Sequence, residues 1–322
     1  MKIIMIGHGM VGHKFIESVL EQAGDDIEIT ILAEEPRLAY DRVHLTEYFS
    51  GKSAKDLTLC RSDFADAYGI DLRLGTKAVS INQHTRTVTT QHGEELTYDK
   101  LILATGSYAF VPPIPGNDRE NCFVYRTIED LDAIRAASLN SKTGVVIGGG
   151  LLGLEAAKAL RDLNLETHVV EFAPRLMAVQ IDDLGGKVLR SKIENLGVKV
   201  HTQKATSSIE DGANAKHVMK FGDGAELETD IILFSAGIRP RDELARQSGL
   251  AIGERGGIMI NDYCQTSHPD IYAIGECALW NNKIFGLVAP GYDMARIAAK
   301  HVLQEKCEAF AGADMSTKLK LM

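Results

Sequence analysis

The chain has no paired cysteines, no block of consecutive basic residues and no long apolar run, and each absence closes a class of function. Its five cysteines, Cys60, Cys122, Cys264, Cys277 and Cys307, lie far apart with no CxxC pair. Neither a zinc site nor a locally bound iron–sulfur cluster is suggested, so no metal ligands are assigned and buried free thiols are expected. The 35 basic residues are outnumbered by 44 acidic ones, for a formal charge of −9. With no run of lysines or arginines to track phosphates, nucleic acid is not an expected partner. The apolar start, Met1 to Ile6, is broken at Gly7, too soon for a signal-peptide core or a membrane span. A cytoplasmic protein with no membrane partner is expected.

What the chain does have is enough apolar material for a large core: 322 residues, 45% of them hydrophobic. At roughly 100–200 residues per domain, two domains are expected. Apolar, β-rich segments at Lys2 to Ile6, Ile27 to Leu32, Leu101 to Ala104, Val145 to Ile147, His168 to Glu171, Ile231 to Phe234 and Ile271 to Ile274 alternate with helical stretches. That rhythm predicts an α/β fold of parallel sheets covered by helices. Val111-Pro112-Pro113-Ile114-Pro115-Gly116 is a stiff, turn-rich linker, because proline removes backbone donors and disfavours helix. Strand signals resume from about Asp242 to Leu303, which predicts that the chain returns to its first domain. From Gln304 polar and apolar residues alternate to Met322, the pattern of a strand cut short.

Two glycine motifs carry the chemistry. Gly7-His8-Gly9-Met10-Val11-Gly12 and Gly148-Gly149-Gly150-Leu151-Leu152-Gly153 each follow a strand and open a helix. In GxGxxG the first glycine permits a tight turn, the second lets a pyrophosphate reach the backbone, and the third allows close helix–strand packing. One such motif is weak evidence, since a turn that binds nothing also needs glycines. Here each is followed, at the end of the next strand, by an acid suited to ribose hydroxyls: Glu34 or Glu35 in the first copy, Glu171 in the second. Glu34 is the favoured residue of its pair. Two complete fingerprints predict two dinucleotides. A carboxylate at Glu171 would repel a 2′-phosphate, which favours NADH over NADPH, with Arg175 nearby as the opposing feature. His8 and His44 are accounted for by packing or capping.

Three further segments complete a pattern: Leu103-Ala104-Thr105-Gly106, Gly237-Ile238-Arg239-Pro240 and Ile271-Tyr272-Ala273-Ile274-Gly275-Glu276. With the two glycine loops they make the chain resemble, over residues 1 to 305, the flavoprotein reductases that bind FAD and a nicotinamide dinucleotide. The resemblance implies two Rossmann-like domains of three-layer ββα type, the NAD domain inserted into the FAD domain. It places the first FAD segment at 1–113, the NAD domain at 114–241, the second FAD segment at 242–305 and a tail at 306–322. For FAD it implies the loop Gly7, Gly9, Met10, Val11 and Gly12, the acids Glu34 and Glu35, and Arg42 on the pyrophosphate. It adds Val79 beside adenine, the turn Ala104, Thr105 and Gly106, then Gly275, Glu276 and Pro290. The family usually has aspartate where Glu276 stands. For NAD it implies Gly148, Gly150, Leu151, Leu152, Gly153, Glu171 and Gly237, with Glu155 near the nicotinamide; no general acid is assigned.

The stretch from Leu38 to Thr46 lacks the cysteine or cysteine pair that thiol-using relatives carry there, so electrons must leave the flavin directly. Thr46-Glu47 stand where some ferredoxin-reductase-like relatives have a lysine. Longer matches, at Glu34 to Arg37, Tyr40 to Leu45, Tyr125 to Leu131 and Phe285 to Tyr292, are similar to the large subunits of NADH-dependent nitrite reductases. That implies that FAD feeds an iron–sulfur cluster and a sirohaem in downstream domains absent from this chain, or in company with a small subunit, where nitrite becomes ammonium. The tail then reads as the start of a truncated C-terminal domain, and this chain alone is not expected to reduce nitrite. A homodimer stays open, as do two other readings: a stand-alone rubredoxin- or ferredoxin-type reductase, and a non-catalytic flavin-binding interaction or sensing module.

Overall fold

Continuous apolar strands, rather than alternating ones, build two parallel sheets in the computed structural model, which describes residues 1–22 and 26–319. A strand covered on both faces needs apolar side chains on both faces. Ile3, Ile4, Met5, Leu101, Ile102 and Leu103 are all at most 2% exposed.

The first of two units comprises Met1–Asp41, Leu57–Tyr108 and Arg239–Ser316. Its parallel sheet runs in the order Ile271–Ala273, Lys100–Leu103, Lys2–Ile6, Glu28–Ala33, Asp71–Leu74. A three-stranded antiparallel sheet, Ala78–Asn82, Thr87–Thr90 and Glu95–Thr97, adds Ile81 and Val88 to the same core. Helices Met10–Leu20 and Val288–Val302 pack against one another. They bring Phe15, Ile16 and Val19 together with Met294, Ala295 and Ala298; burying each large side chain contributes about 1.5–3 kcal/mol.

The second unit comprises Arg42–Asp56 and Ala109–Ile238, and Thr317 to Leu319 are grouped with it. Its parallel sheet runs Val198–His201, Glu166–Val170, Thr143–Ile147, Ile231–Phe234, Cys122–Val124. The antiparallel strands Thr206–Asp211, His217–Phe221 and Glu226–Thr229 place Ile209, Met219 and Phe221 against Val145, Ile147, Val170, Ile232 and Phe234. Helix Ile128–Ser138 starts from a capping box, in which Thr127 and Asp130 each bond the other's main-chain N–H. The two units thus repeat one plan, with the glycine-loop strand third in each sheet. They differ in one edge strand, beside Lys100–Leu103 in the first sheet and Ile231–Phe234 in the second, which the first unit takes from the returning C-terminal segment and the second from Cys122–Val124. The expected return of the chain is the parallel pairing of Ile271–Ala273 with Lys100–Leu103.

The contacts divide the chain at Tyr108/Ala109 and Ile238/Arg239, against 113/114 and 241/242 in the sequence reading. The proline-rich run lies wholly in the second unit because Ile209 N–H bonds the Pro115 carbonyl at 2.9 Å and Val111 and Ile114 pack on that unit's core. Arg42–Asp56, read from sequence as part of the first FAD segment, also groups with the second unit. There Tyr125 OH donates to Thr46 Oγ1 (3.1 Å), and the segment packs on helix Leu151–Asp162.

The tail forms no strand among its described residues, 304–319; Lys320 to Met322 lie outside them. It is held by the Phe310 N–H on the Asp262 carbonyl (2.8 Å) and by Phe310 inserted beside Trp280 and Phe285. All five thiols are free, but only Cys264 and Cys277 are buried, while Cys60, Cys122 and Cys307 are half-buried. Burial pushes the thiol pKa up at each of the five, which suppresses the reactive thiolate.

Candidate functional site

The two glycine loops have the same local design. Gly7 has φ +102°, and a Cβ there would lie 2.3 Å from the Ala104 carbonyl oxygen; Gly148 has φ +119°, and a Cβ there would lie 2.2 Å from that of Ser235. The third glycines close the turns, because a Cβ on Gly12 would sit 2.5 Å from Gly7 O and one on Gly153 would sit 1.9 Å from Gly148 O. The middle glycines behave differently: a Cβ on Gly9 or Gly150 would meet nothing within 4 Å. Each is the N-cap of a helix with no side-chain cap, Met10–Leu20 and Leu151–Asp162. Amides at Met10, Val11, Leu151 and Leu152 therefore begin a positive helix end in front of open space, which suits a pyrophosphate.

A carboxylate stands beside each loop. Glu171 Oε2 accepts from Gly149 N and Oε1 from Ala173 N, both at 2.6 Å. A carboxylate has about four lone-pair sites, so two remain for a pair of ribose hydroxyls. Glu34 is held by side chains instead: Lys77 Nζ lies 3.1 Å from Oε1 and Arg241 Nη1 2.7 Å from Oε2. Partial burial pushes the Glu34 carboxyl up, but the two cations outweigh it and hold the group below the usual carboxylate range. Glu35 accepts from Tyr40 OH at 2.7 Å. Open space, uncapped amides and a carboxylate with unused acceptors fit a dinucleotide at both loops.

Around the first loop the structure gathers much of what the sequence pointed to. A Cβ on Gly275 (φ +77°) would touch Val11, and one on Gly291, next to Pro290 in the first turn of helix Val288–Val302, would lie 2.5 Å from Val11 Cγ2. Glu276 Oε2 accepts from Ser107 Oγ at 2.7 Å. Thr105 and Gly106 complete the turn that abuts Gly7 at Ala104, and Val79 lies half-exposed in strand Ala78–Asn82. Arg42 groups with the second unit, where its Nη1 donates to the Arg126 carbonyl at 3.0 Å. In that unit Gly237 has φ +107° with open space at its Cβ. Glu155 lies on helix Leu151–Asp162. Burial, opposed by the Thr46 hydrogen bond and reinforced by the Glu155 charge, raises the Tyr125 phenol.

His8 packs, as expected, but with both ring nitrogens unpartnered at 8% exposure. Its ring meets His13 edge-on, and His13 meets Phe64 and lies 3.6 Å from Glu17. Burial, with His13 adding, pushes the His8 pKa from 6.5 down to about 4. The folded chain thus refuses a proton that the unfolded chain accepts, and stability falls as pH drops from 6.5 towards 4. Between pH 7 and pH 5 the loss is about 2 kcal/mol. Urea unfolding of His8→Asn at the two pH values should show that much less acid sensitivity than wild type; equal sensitivity would remove His8 as the cause.

Sequence reasoning missed Arg241 and Lys77 on Glu34, Ser107 on Glu276, and Tyr125 with Thr46. Arg241 directly follows a motif that was read, but its partner lies 207 positions away, and no local pattern links them. Among the described residues no helix is long and apolar enough to cross a membrane, and no cluster of three or more histidine, cysteine or acidic side chains could hold a metal.

Comparison with known proteins agrees with this geometry. Residues 1–301 match the pyridine nucleotide-disulphide oxidoreductase family. The chain is 56% identical over 323 residues to the nitrite reductase (NADH) large subunit of Escherichia coli, covering 100% of this chain and 38% of that protein. It is likewise 56% identical over 321 residues to the nitrite reductase [NAD(P)H] large subunit of Klebsiella oxytoca, covering 99% of this chain and 33% of the other. The chain thus spans about a third of these relatives' length. Among solved structures, an NAD-dependent persulfide reductase from A. fulgidus superposes with a TM-score of 0.92 at 26% identity, over 99% of this chain and 62% of that one.

Proposed function

We propose, from the premise that this chain belongs to the pyridine nucleotide-disulphide oxidoreductase family, that it passes hydride from NADH to FAD as the reductase module of a nitrite reductase. The electrons then go to iron–sulfur and sirohaem centres outside this chain, in downstream domains or beside a small subunit, where nitrite is reduced to ammonium in the cytoplasm. The observation that carries this reading is the duplicated loop with a carboxylate at each copy, joined to 56% identity with two nitrite reductase large subunits.

The second loop favours NADH. Glu171 keeps two acceptor sites for ribose hydroxyls and would repel a 2′-phosphate. Arg175, a nearby cation that could have welcomed that phosphate, is committed elsewhere. Its Nε bonds Ile181 O (2.9 Å), Nη1 bonds Asp183 (2.8 Å) and Nη2 faces Ala178 O (3.3 Å).

FAD, when bound, supplies the hydride acceptor and the ability to release electrons one at a time. The chain's residues do the rest by positioning. Amides at Met10 and Val11 take one pyrophosphate, and those at Leu151 and Leu152 the other. Glu34 and Glu171 orient the two adenosine riboses, Glu276 serves the flavin side chain, and Glu155 orients the nicotinamide. No proton needs to move, and no side chain is assigned as an acid or base.

With no cysteine between Leu38 and Thr46 and all five thiols free, no disulfide among the described residues stores a second electron pair. Anaerobic titration of the FAD-loaded chain should therefore bleach the flavin fully at about one NADH per flavin, the two electrons of one hydride. Uptake of two equivalents would reveal a second two-electron acceptor and contradict direct exit.

A further inference from the structure

We infer that Arg241 belongs to the FAD site, where it holds Glu34 in place for the adenosine ribose and offers its remaining N–H groups to the dinucleotide's adenosine-side phosphate. The inference rests on the reading of the first glycine loop as an FAD site. Arg241 is anchored by its main chain: its N–H bonds the Gly106 carbonyl at 2.9 Å, and its carbonyl accepts from Thr105 Oγ1 at 2.7 Å. That turn is the one the glycine loop touches, since a Cβ on Gly7 would lie 2.3 Å from Ala104 O and 3.2 Å from Thr105 N. From this anchor the guanidinium reaches Glu34 Oε2, while Lys77 takes Oε1.

The two loops differ at this point. Glu171 is oriented by main-chain N–H groups of Gly149 and Ala173, whereas Glu34 is oriented by two cations. Only one of Arg241's five donors is used among the described residues, the Nη1 bond to Glu34. The pair is 43% and 49% exposed, and an ion pair in that setting contributes little to folding, about 0–1 kcal/mol. Its worth lies in what approaches: a doubly charged pyrophosphate would be repelled by a bare Glu34, and the Arg241 guanidinium together with the Lys77 ammonium turns the local charge positive.

The test compares FAD dissociation constants of deflavinated wild type, R241Q, R241K and E34Q, read by quenching of flavin fluorescence, with apoprotein melting temperatures alongside. The ties to the turn use main-chain atoms, so R241Q keeps them. R241Q should weaken FAD on the order of 10- to 100-fold, with R241K recovering part of the loss and the apoprotein melting temperature unchanged. FMN, which lacks the adenosine and one phosphate, should bind R241Q and wild type alike. If R241Q fails to fold, R241K decides the matter by weaker FAD binding at unchanged FMN binding. R241Q or R241K binding FAD as wild type does overturns the role of Arg241 and leaves the FAD site standing. Wild-type apoprotein that does not take up FAD overturns the site and the inference together.

Discussion

Gly150→Val should give a chain that folds and retains FAD but is reduced by NADH at least about 100-fold more slowly, because a modest displacement of a bound reactant already costs on the order of 10²-fold. The residue's backbone is ordinary extended chain (φ −80°, ψ −174°), and a Cβ there meets nothing within 4 Å. The Cβ is therefore accommodated by the protein, and the added side chain takes up space at the N-cap, where the helix amides are uncapped. The neighbouring Gly148 offers the contrast, since alanine there would need φ +119° and a 2.2 Å approach to Ser235 O; that change strains the fold itself. Flavin content, melting temperature and anaerobic reduction rate separate the two cases. A Gly150→Val chain reduced at the wild-type rate would mean that no pyrophosphate approaches this loop.

Glu171→Gln should weaken NADH roughly 10- to 100-fold, on the scale of lost charged hydrogen bonds, and narrow the preference for NADH over NADPH by a similar factor. An amide keeps one acceptor oxygen, so one of the two N–H groups now bonded at 2.6 Å, Gly149 or Ala173, would face an NH₂. The ribose hydroxyls lose an acceptor, and the charge that repels a 2′-phosphate disappears. Competitive titration with the oxidised nucleotides measures both effects. Unchanged selectivity would move discrimination away from Glu171.

Glycine loops and strand-end acids were legible in the sequence because their chemistry is local: Gly7 to Glu34 and Gly148 to Glu171 each lie within one strand–helix–strand unit. The parallel sheets were legible for the same reason, as runs of isoleucine, leucine and valine too apolar for a half-exposed strand. What escaped was long-range. Arg241 supplies a cation at Glu34 from 207 positions away, beyond the reach of any local pattern. Arg42, read onto the FAD pyrophosphate, lies in a segment, Arg42–Asp56, that groups with the second unit. The alternation after Gln304 suggested a strand, but one apolar anchor, Phe310 on Trp280 and Phe285, accounts for what the described residues do.

The central claim is that this chain accepts hydride from NADH onto FAD. Mixing the FAD-loaded chain anaerobically with NADH, and separately with NADPH, while following the long-wavelength flavin band in a stopped-flow cell tests it most directly. Bleaching by NADH at a rate within the usual range of enzyme turnover, about 1–10³ s⁻¹, with NADPH much slower, is the predicted result. A bound flavin whose band neither nucleotide changes would contradict it.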